Sequence, residues 1–288
     1  MNKKALILSM NPNAYAPKRL KKAFEAMGVE VLSKDFFQVS VYMGEKLSFG
    51  IGEINFDEFE YIVLRNPSQS AYKDFDFYHL RQSIAMWAEK NKKRMLNLDL
   101  YNKPYSRMDK LSQSVYMRLN GVSIIPTKYG PEISEENPPM IFKTVMGSHG
   151  SGVKKVKTER GKKYFSEALG LANIIRQPFI DSGEDYRVIV LGGEVLGVMR
   201  RIAVEGGYLT NVSAGGSFEK AELTDELKKL ALKAALVFSC DYCGVDIMFD
   251  ENKTPFVLEV NDSAQFGGFE KATKINVADK IARFMIGK

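Results

Sequence analysis

A chain of 288 residues, 45% of them hydrophobic, can fill one large core or two to three small domains, and its 26% charged content is that of an ordinary folded protein. The net charge of +6 favours anionic ligands without requiring one, since a basic surface also serves solubility. No apolar run reaches bilayer-spanning length, and the run after Met1-Asn2-Lys3-Lys4 is too short for a signal peptide, so a cytoplasmic protein with no membrane partner is expected.

Two cysteines cannot build a disulfide framework, and no second pair or nearby His completes a zinc site around Cys240 and Cys243. In chain order, Ala5-Leu6-Ile7-Leu8 reads as a buried strand. Leu20, Phe24 and Met27 recur at helical spacing, which predicts a helix over 17–27 stopped by Gly28. Strands are expected at 29–32, 61–64 and 95–98, with a helix over 77–90. Such alternation predicts a parallel sheet with helices on its faces. Ligands of these sheets bind beyond the carboxyl ends of the strands. Arg65 stands at one such end, where its guanidinium suits a substrate carboxylate; a solvated loop arginine is the competing reading.

Residues 110–119 read as a helix closed by Gly121, with Leu111, Val115 and Leu119 on one stripe. A strand over 141–145 leads into Gly147-Ser148-His149-Gly150-Ser151-Gly152, a second strand runs through Val156, and a third covers 174–180. Strands 186–191 and 194–202 flank Gly192-Gly193, a good two-residue turn. The polar loop from Asn211 to Gly215 and Gly216 either closes over a ligand or simply connects two elements. A helix over 227–238 starts at Thr224-Asp225-Glu226, with acids suited to the helix dipole. The last helix starts at Val277, capped by Asn276.

Gly147, Gly150 and Gly152 leave backbone N–H groups open to phosphate oxygens, although a plain hairpin turn explains the same glycines. This is not a Walker loop, because Lys154 comes one place late, no Ser or Thr follows it, and a strand stands where a helix should. Lys143 favours the phosphate reading, since a lysine inside an apolar strand needs an anionic partner. With the turn at Gly192-Gly193, Asp185 is expected opposite Arg200, with Arg187 on their face. Arginines so placed either form a structural ion-pair cluster or neutralise a transferring phosphoryl group. In the last hairpin, a loop of Glu251-Asn252-Lys253-Thr254 pairs Asp250 with Pro255 and hence Asp246 with Glu259. Alternation puts Asn261 on the face of Glu259, and cross-strand neighbours on one face lie about 5 Å apart. Asp246, Glu259 and Asn261 thus converge as oxygen ligands suited to Mg²⁺ carrying nucleotide phosphates. The competing reading is the polar face of an edge hairpin. His79 and His149 are the only histidines, and neither has a nucleophile motif beside it.

Lys143, the glycine loop, Gln177-Pro178-Phe179-Ile180, Asp185-x-Arg187, Asn211 with Gly215-Gly216, Gly244-Val245-Asp246-Ile247 and Glu259-Val260-Asn261 occur in one order. That order resembles the ATP-grasp superfamily, most closely its RimK-like carboxylate–amine ligases. The resemblance implies an α/β (α+β) ATP-grasp fold. A Rossmann-like pre-ATP-grasp domain would cover 1–100, a small lid subdomain 101–181 and a C-terminal catalytic subdomain 182–288. It further implies ATP phosphates at Lys110, Lys143 and the glycine loop, adenine at Gln177, Phe179 and Ile180, and ribose at Asp185. Arg187 and Arg200 would face the phosphates or an acyl-phosphate. Asp246, Glu259 and Asn261 would hold two Mg²⁺ or Mn²⁺ ions. Asn211, Gly215 and Gly216 would sit near the acceptor, and Arg65 and Gln265 would face the substrate.

Three positions depart from the family pattern: Pro178 for a hinge glutamate, Ala214 for an arginine, and Ser263-Ala264-Gln265 for Ser-Pro-Gly. The last borders the acceptor site, so a substrate choice different from that of the glutamate-adding members is expected. The implied activity joins a carboxylate to the amine of an amino acid or peptide through an acyl-phosphate, releasing ADP. Two other activities fit a nucleotide site: phosphorylation of a small hydroxyl substrate, and nucleotide or RNA binding without turnover. The chain lacks the interleaved aromatic and basic residues of an RNA platform, so no nucleic-acid partner is expected. A homo-oligomer is compatible with all of this.

Overall fold

The computed structural model describes residues 3–65, 77–103, 109–130, 137–147, 152–210 and 215–288. The chain divides into two compact units, one made of Met1–Ser106, Ser239–Tyr242 and Asp262–Lys288, the other of Arg107–Phe238 and Cys243–Asn261.

The first unit opens with β1 (Lys4–Ser9), α1 (Tyr15–Glu25) and β2 (Glu30–Asp35). β3 (Val39–Met43), β4 (Leu47–Ile51) and β5 (Ile54–Asn55) follow, then β6 (Tyr61–Arg65), α2 (Tyr78–Lys90), β7 (Arg94–Met95) and α3 (Leu98–Tyr101). β2, β1, β6 and β7 form a parallel sheet in that order. Ala5 to Leu8, Ile62 and Val63 are buried without alternation, as strands covered on both faces must be. The expected strand over 95–98 is cut to two residues because Asn97 turns left-handed (φ 61°), a conformation asparagine tolerates. β3, β4 and β5 form a separate antiparallel sheet, and β3 has no buried face to betray it in the residue pattern.

The second unit begins with α4 (Lys110–Leu119), β8 (Lys128–Tyr129), β9 (Met140–Thr144), β10 (Val153–Val156), α5 (Glu159–Leu169) and β11 (Ile174–Pro178). The strands make an antiparallel sheet in the order β10-β9-β11-β8. Met140, Phe142, Val156 and Ile174 form its core, with Phe165 and Leu169 of α5 packed on them. Ile141 and Lys143 therefore point to the opposite face. β12 (Glu184–Leu191), β13 (Glu194–Ile202), β14 (Ser217–Lys220), α6 (Asp225–Val237), β15 (Tyr242–Phe249) and β16 (Pro255–Asn261) complete this unit. Its larger sheet runs β14-β13-β12-β15-β16. α7 (Gly267–Thr273) and α8 (Val277–Ile286) belong to the first unit, where α8 packs on α1.

The stripe expected to bury α4 faces outward: Val115 and Leu119 are exposed, and Gln113 and Met117 are buried instead. The Gln113 amide explains the rotation. It donates to Val260 O (3.1 Å) and accepts from Val260 N (2.9 Å), docking the helix on β16 as a strand neighbour would. Among the described residues no helix is long and apolar enough to cross a membrane.

Candidate active site

Two bulged hairpins of the larger sheet gather the charged residues. In β12–β13 the turn at Gly192-Gly193 is the expected one, with Leu191 paired to Glu194. A bulge between Ile189 and Val190 then shifts the register, so Ile189 pairs with Gly197. Asp185 consequently faces Arg201, and Arg200 faces Tyr186. This corrects the expected Asp185–Arg200 pairing, because a slip of one residue turns a side chain to the other face of the sheet. On that other face Arg200 binds Glu184 through Nε (2.8 Å) and Glu219 through Nη1 (3.0 Å).

Arg201 occupies the position expected for Arg200. It binds Asp185 through Nε (2.6 Å) and Nη2 (2.7 Å) and reaches Asp246 Oδ2 at 2.8 Å. Thr210 Oγ1 donates to Asp185 at 2.5 Å. Arg187 grips Asp246 with two bonds of 2.7 Å. The adjacency Arg200-Arg201 was the sequence signal for this residue: alternation sends one of two neighbours to the Asp185 face whatever the register.

In β15–β16 the loop is longer than expected. Phe249, not Asp250, pairs with Pro255, and Asp250 N donates to Thr254 O (3.1 Å). A bulge between Asp246 and Ile247 compensates, so Asp246 does face Glu259, and Gly244 faces Asn261. Burial pushes the Asp246 carboxyl up, but Arg187 and Arg201 outweigh it and hold the group well below the usual carboxylate range. Glu259 goes the other way. Burial and then the charge of Asp246 raise it, against the weaker pull of Arg187 and Lys110. The result is a like-charge pair beside four cations, with the Asn261 amide one alternation further along the same strand.

The two lysines come from the small-sheet side. Lys110 opens α4 behind its cap Asp109, and its Nζ donates to Gly147 O at 2.7 Å. Burial lowers its pKa against the pull of Glu259 and Asp109. Lys143 retains some exposed surface, yet burial still brings it down to about 8, countered by Glu259 and reinforced by Lys110. Gly152 cannot be replaced without strain: its φ is +79° and an added Cβ would collide with Thr144. Gln177 lies on the Lys143 face of the small sheet, donates to Thr127 Oγ1 (2.8 Å), and leaves Oε1 buried without a hydrogen-bond partner among the described residues. Phe179 carries the Lys155 ammonium over its ring, 3.3 Å from the centroid. Ile180 lies half-buried just beyond β11, and Gly215 (φ 88°) and Gly216 precede β14.

The structure therefore brings together Lys110, Lys143, Asp185, Arg187, Arg201, Asp246 and Glu259. Gly150 and Asn211 lie outside the described residues. Arg65 and Gln265 belong to the first unit. Arg65 is neither a solvated loop residue nor open to a ligand through Nη2. It is 2% exposed, and Nη2 donates to the carbonyls of Ser263 (3.1 Å) and Ala264 (2.8 Å).

Residues 131–285 match the RimK-like ATP-grasp domain. A probable alpha-L-glutamate ligase 2 of Shewanella denitrificans is 31% identical, spanning 97% of this chain and 94% of that relative. The chain belongs to the RimK-like ATP-grasp family. It is an enzyme, an ATP-dependent carboxylate–amine ligase with the family's mixed α/β fold. A probable alpha-L-glutamate ligase of Vibrio atlanticus is 30% identical over 97% of this chain and 94% of its own length. Among solved structures, the ATP-grasp ligase PsnB, complexed with a precursor variant, Mg and ADP, has a TM-score of 0.74 at 20% identity, covering 100% of this chain and 99% of that one. The macrocyclase MdnC of Microcystis aeruginosa, bound to precursor peptide MdnA, has a TM-score of 0.72 at 15% identity, covering 99% and 100%.

Proposed function

We propose that this ligase uses ATP and Mg²⁺ to turn a substrate carboxylate into an acyl-phosphate and passes the acyl group to an amine. A carboxylate oxygen attacks the γ-phosphorus, the bond to the bridging oxygen of ADP breaks, and ADP leaves. The amine nitrogen then attacks the acyl carbon, phosphate leaves, and the surplus amine proton passes to water. The observation that carries this reading is the like-charge pair of buried Asp246 and half-buried Glu259 among Lys110, Lys143, Arg187 and Arg201. Two carboxylates that raise each other's cost of ionisation fit a divalent cation, and four protein cations fit phosphates.

Asp246, Glu259 and Asn261 would hold one or two Mg²⁺ ions, which neutralise phosphate charge when bound. Asp246 gives its oxygens to Arg187 and Arg201 here, so holding metal asks these arginines to turn towards the phosphates. Arg201 takes the phosphate-facing role first given to Arg200. Lys143, an ammonium held down to about 8 by burial, gains its missing counter-charge from phosphate. The unpartnered Gln177 Oε1 suits the amino group of adenine. Little covalent work falls to the protein, and positioning with charge neutralisation supplies the catalysis. The names of the relatives favour L-glutamate, and the structural neighbours favour a peptide, as the substrate class.

The test begins with ADP release screened across amino acids and acidic peptides. Hydroxylamine should trap a hydroxamate with the active carboxylate, and ¹⁸O from that carboxylate should appear in released phosphate. A stable phosphate ester in place of an amide, AMP in place of ADP, or unlabelled phosphate would overturn the reading.

A further inference from the structure

Within the second unit, Asp185 is closed off from any ligand. It is 2% exposed, and its two oxygens accept three bonds. Oδ1 accepts from Arg201 Nε (2.6 Å), and Oδ2 accepts from Arg201 Nη2 (2.7 Å) and from Thr210 Oγ1 (2.5 Å). The same Arg201 Nη2 lies 2.8 Å from Asp246 Oδ2. Thr210, Asp185, Arg201 and Asp246 thus form one continuous chain of contacts, and all four are buried. The bulge between Ile189 and Val190 is what sets Asp185 opposite Arg201. Bulges re-aim side chains in this way beside active sites. The resemblance to ATP-grasp ligases gives Asp185 to the ribose and gives Thr210 no role. A ribose hydroxyl needs a carboxylate oxygen that a ligand can reach, and Asp185 spends its oxygens inside the protein.

We propose that Asp185 and Thr210 are positioning residues for Arg201, and that neither touches the ribose. The inference rests on the phosphate-facing role proposed above for Arg201. A buried ion-pair cluster holds a fold no better than apolar packing of the same volume, so stability alone does not account for the chain. A group that must meet a transferring phosphoryl, by contrast, has to be held by neighbours whose own positions are locked. The two-pronged pair aligns the guanidinium with the Asp185 carboxylate and removes rotamers that a long arginine side chain otherwise samples. The Thr210 hydroxyl then fixes the plane of that carboxylate, and with it the plane of Arg201. The chain therefore sets the orientation of the cation before phosphate arrives, which is where positioning lowers a barrier.

The experiment has a kinetic arm and a binding arm. In the first, ADP release is followed with the active carboxylate and hydroxylamine. Thr210→Val keeps the shape and removes the bond; it should lower kcat about tenfold with KM for ATP within about threefold, and Thr210→Ser should recover most of the loss. Asp185→Asn should lower kcat at least as far, and combined with Arg201→Met it should lose no more than about threefold beyond Arg201→Met alone. In the second arm, calorimetry compares ADP with 2′-deoxy-ADP and 3′-deoxy-ADP. Asp185→Asn should leave both affinity ratios within about twofold of wild type. A ratio that collapses in Asp185→Asn would return this residue to the ribose and overturn the inference. So would additive losses in the cycle, or wild-type kcat in Thr210→Val. If Asp185→Asn does not fold, the Thr210→Val and Thr210→Ser rates decide. Wild-type enzyme that releases no ADP with any carboxylate would instead bring down the ligase reading, and the affinity ratios would still decide whether Asp185 meets the ribose.

Discussion

The two hairpins that build the site carry opposite electrostatics. In β12–β13 an acid faces a base: Asp185 meets Arg201 and is closed off by Thr210. In β15–β16 an acid faces an acid: Asp246 meets Glu259, and Arg187 and Arg201 hold Asp246 down while burial and the charge of Asp246 raise Glu259. The acid of the first hairpin has its hydrogen bonds met by Arg201 and Thr210, although burial and the charge of Asp246 still raise it, whereas the second sets two carboxylates against each other, a repulsion that a cation relieves. The proposed site for metal and phosphate is thus the place where the fold leaves its charges unbalanced, and the neighbouring hairpin would serve as scaffolding that aims Arg201.

The largest expected effect tests the unbalanced hairpin. Asp246→Asn and Glu259→Gln should each lower turnover by about a hundredfold or more at saturating Mg²⁺, measured as ADP release. Near-normal rates in either would remove the metal assignment. The balanced hairpin is tested next by comparing neighbours. Arg201→Met should cost about a hundredfold in turnover, while Arg200→Met, on the opposite and partly exposed face, should stay within about threefold and change stability by about 0–1 kcal/mol. Equal effects in the two variants would mean that the bulge does not set the working register.

Stability should separate the hairpins by sign. Asp246→Asn removes the carboxylate that pairs with Arg187 and one of the two carboxylates on buried Arg201, and should cost about 3–5 kcal/mol in denaturant unfolding. Glu259→Gln removes a repelled charge and should raise the Tm of the nucleotide-free protein by about 2 °C or more. A drop in both would show that Glu259 is a structural ion-pair member. The smallest effect is the pH dependence of Lys143. Its folded pKa, about 8, lies below its ordinary 10.5, so the unfolded chain binds more protons between these values and stability should rise with pH across that window. Nucleotide binding near pH 8.5 should take up a proton, visible in calorimetry as heat that varies with buffer ionisation enthalpy. No uptake would place the phosphates away from Lys143.

Much of the fold was legible because its signals are local. The buried run Ala5–Leu8, the helix start at Thr224-Asp225-Glu226, the cap at Asn276 and the Gly192-Gly193 turn each act over a few residues, and each stands where expected. The register was legible only in part. Counting from the turn puts Asp185 on Arg200 because nothing in the hydrophobic pattern marks the bulge at Ile189/Val190. The same counting reaches Asp246 opposite Glu259 because a longer loop and a bulge cancel. The outward stripe of α4 was misread for a related reason: the Gln113 amide, paired with both backbone groups of Val260, outweighs the apolar periodicity. Arg201 had only its adjacency to Arg200 as a signal, and the carbonyl clamp of Arg65, made to residues almost 200 positions away, had none beyond residue type.

Divalent-cation affinity tests the like-charge pair most directly. Mn²⁺ can be titrated by calorimetry into the protein saturated with ADP, for wild type and Glu259→Gln, at pH 7.5. The account predicts tight binding in the wild type and affinity at least about tenfold weaker in the variant, with ADP still bound. Equal Mn²⁺ affinity in the two proteins would contradict it.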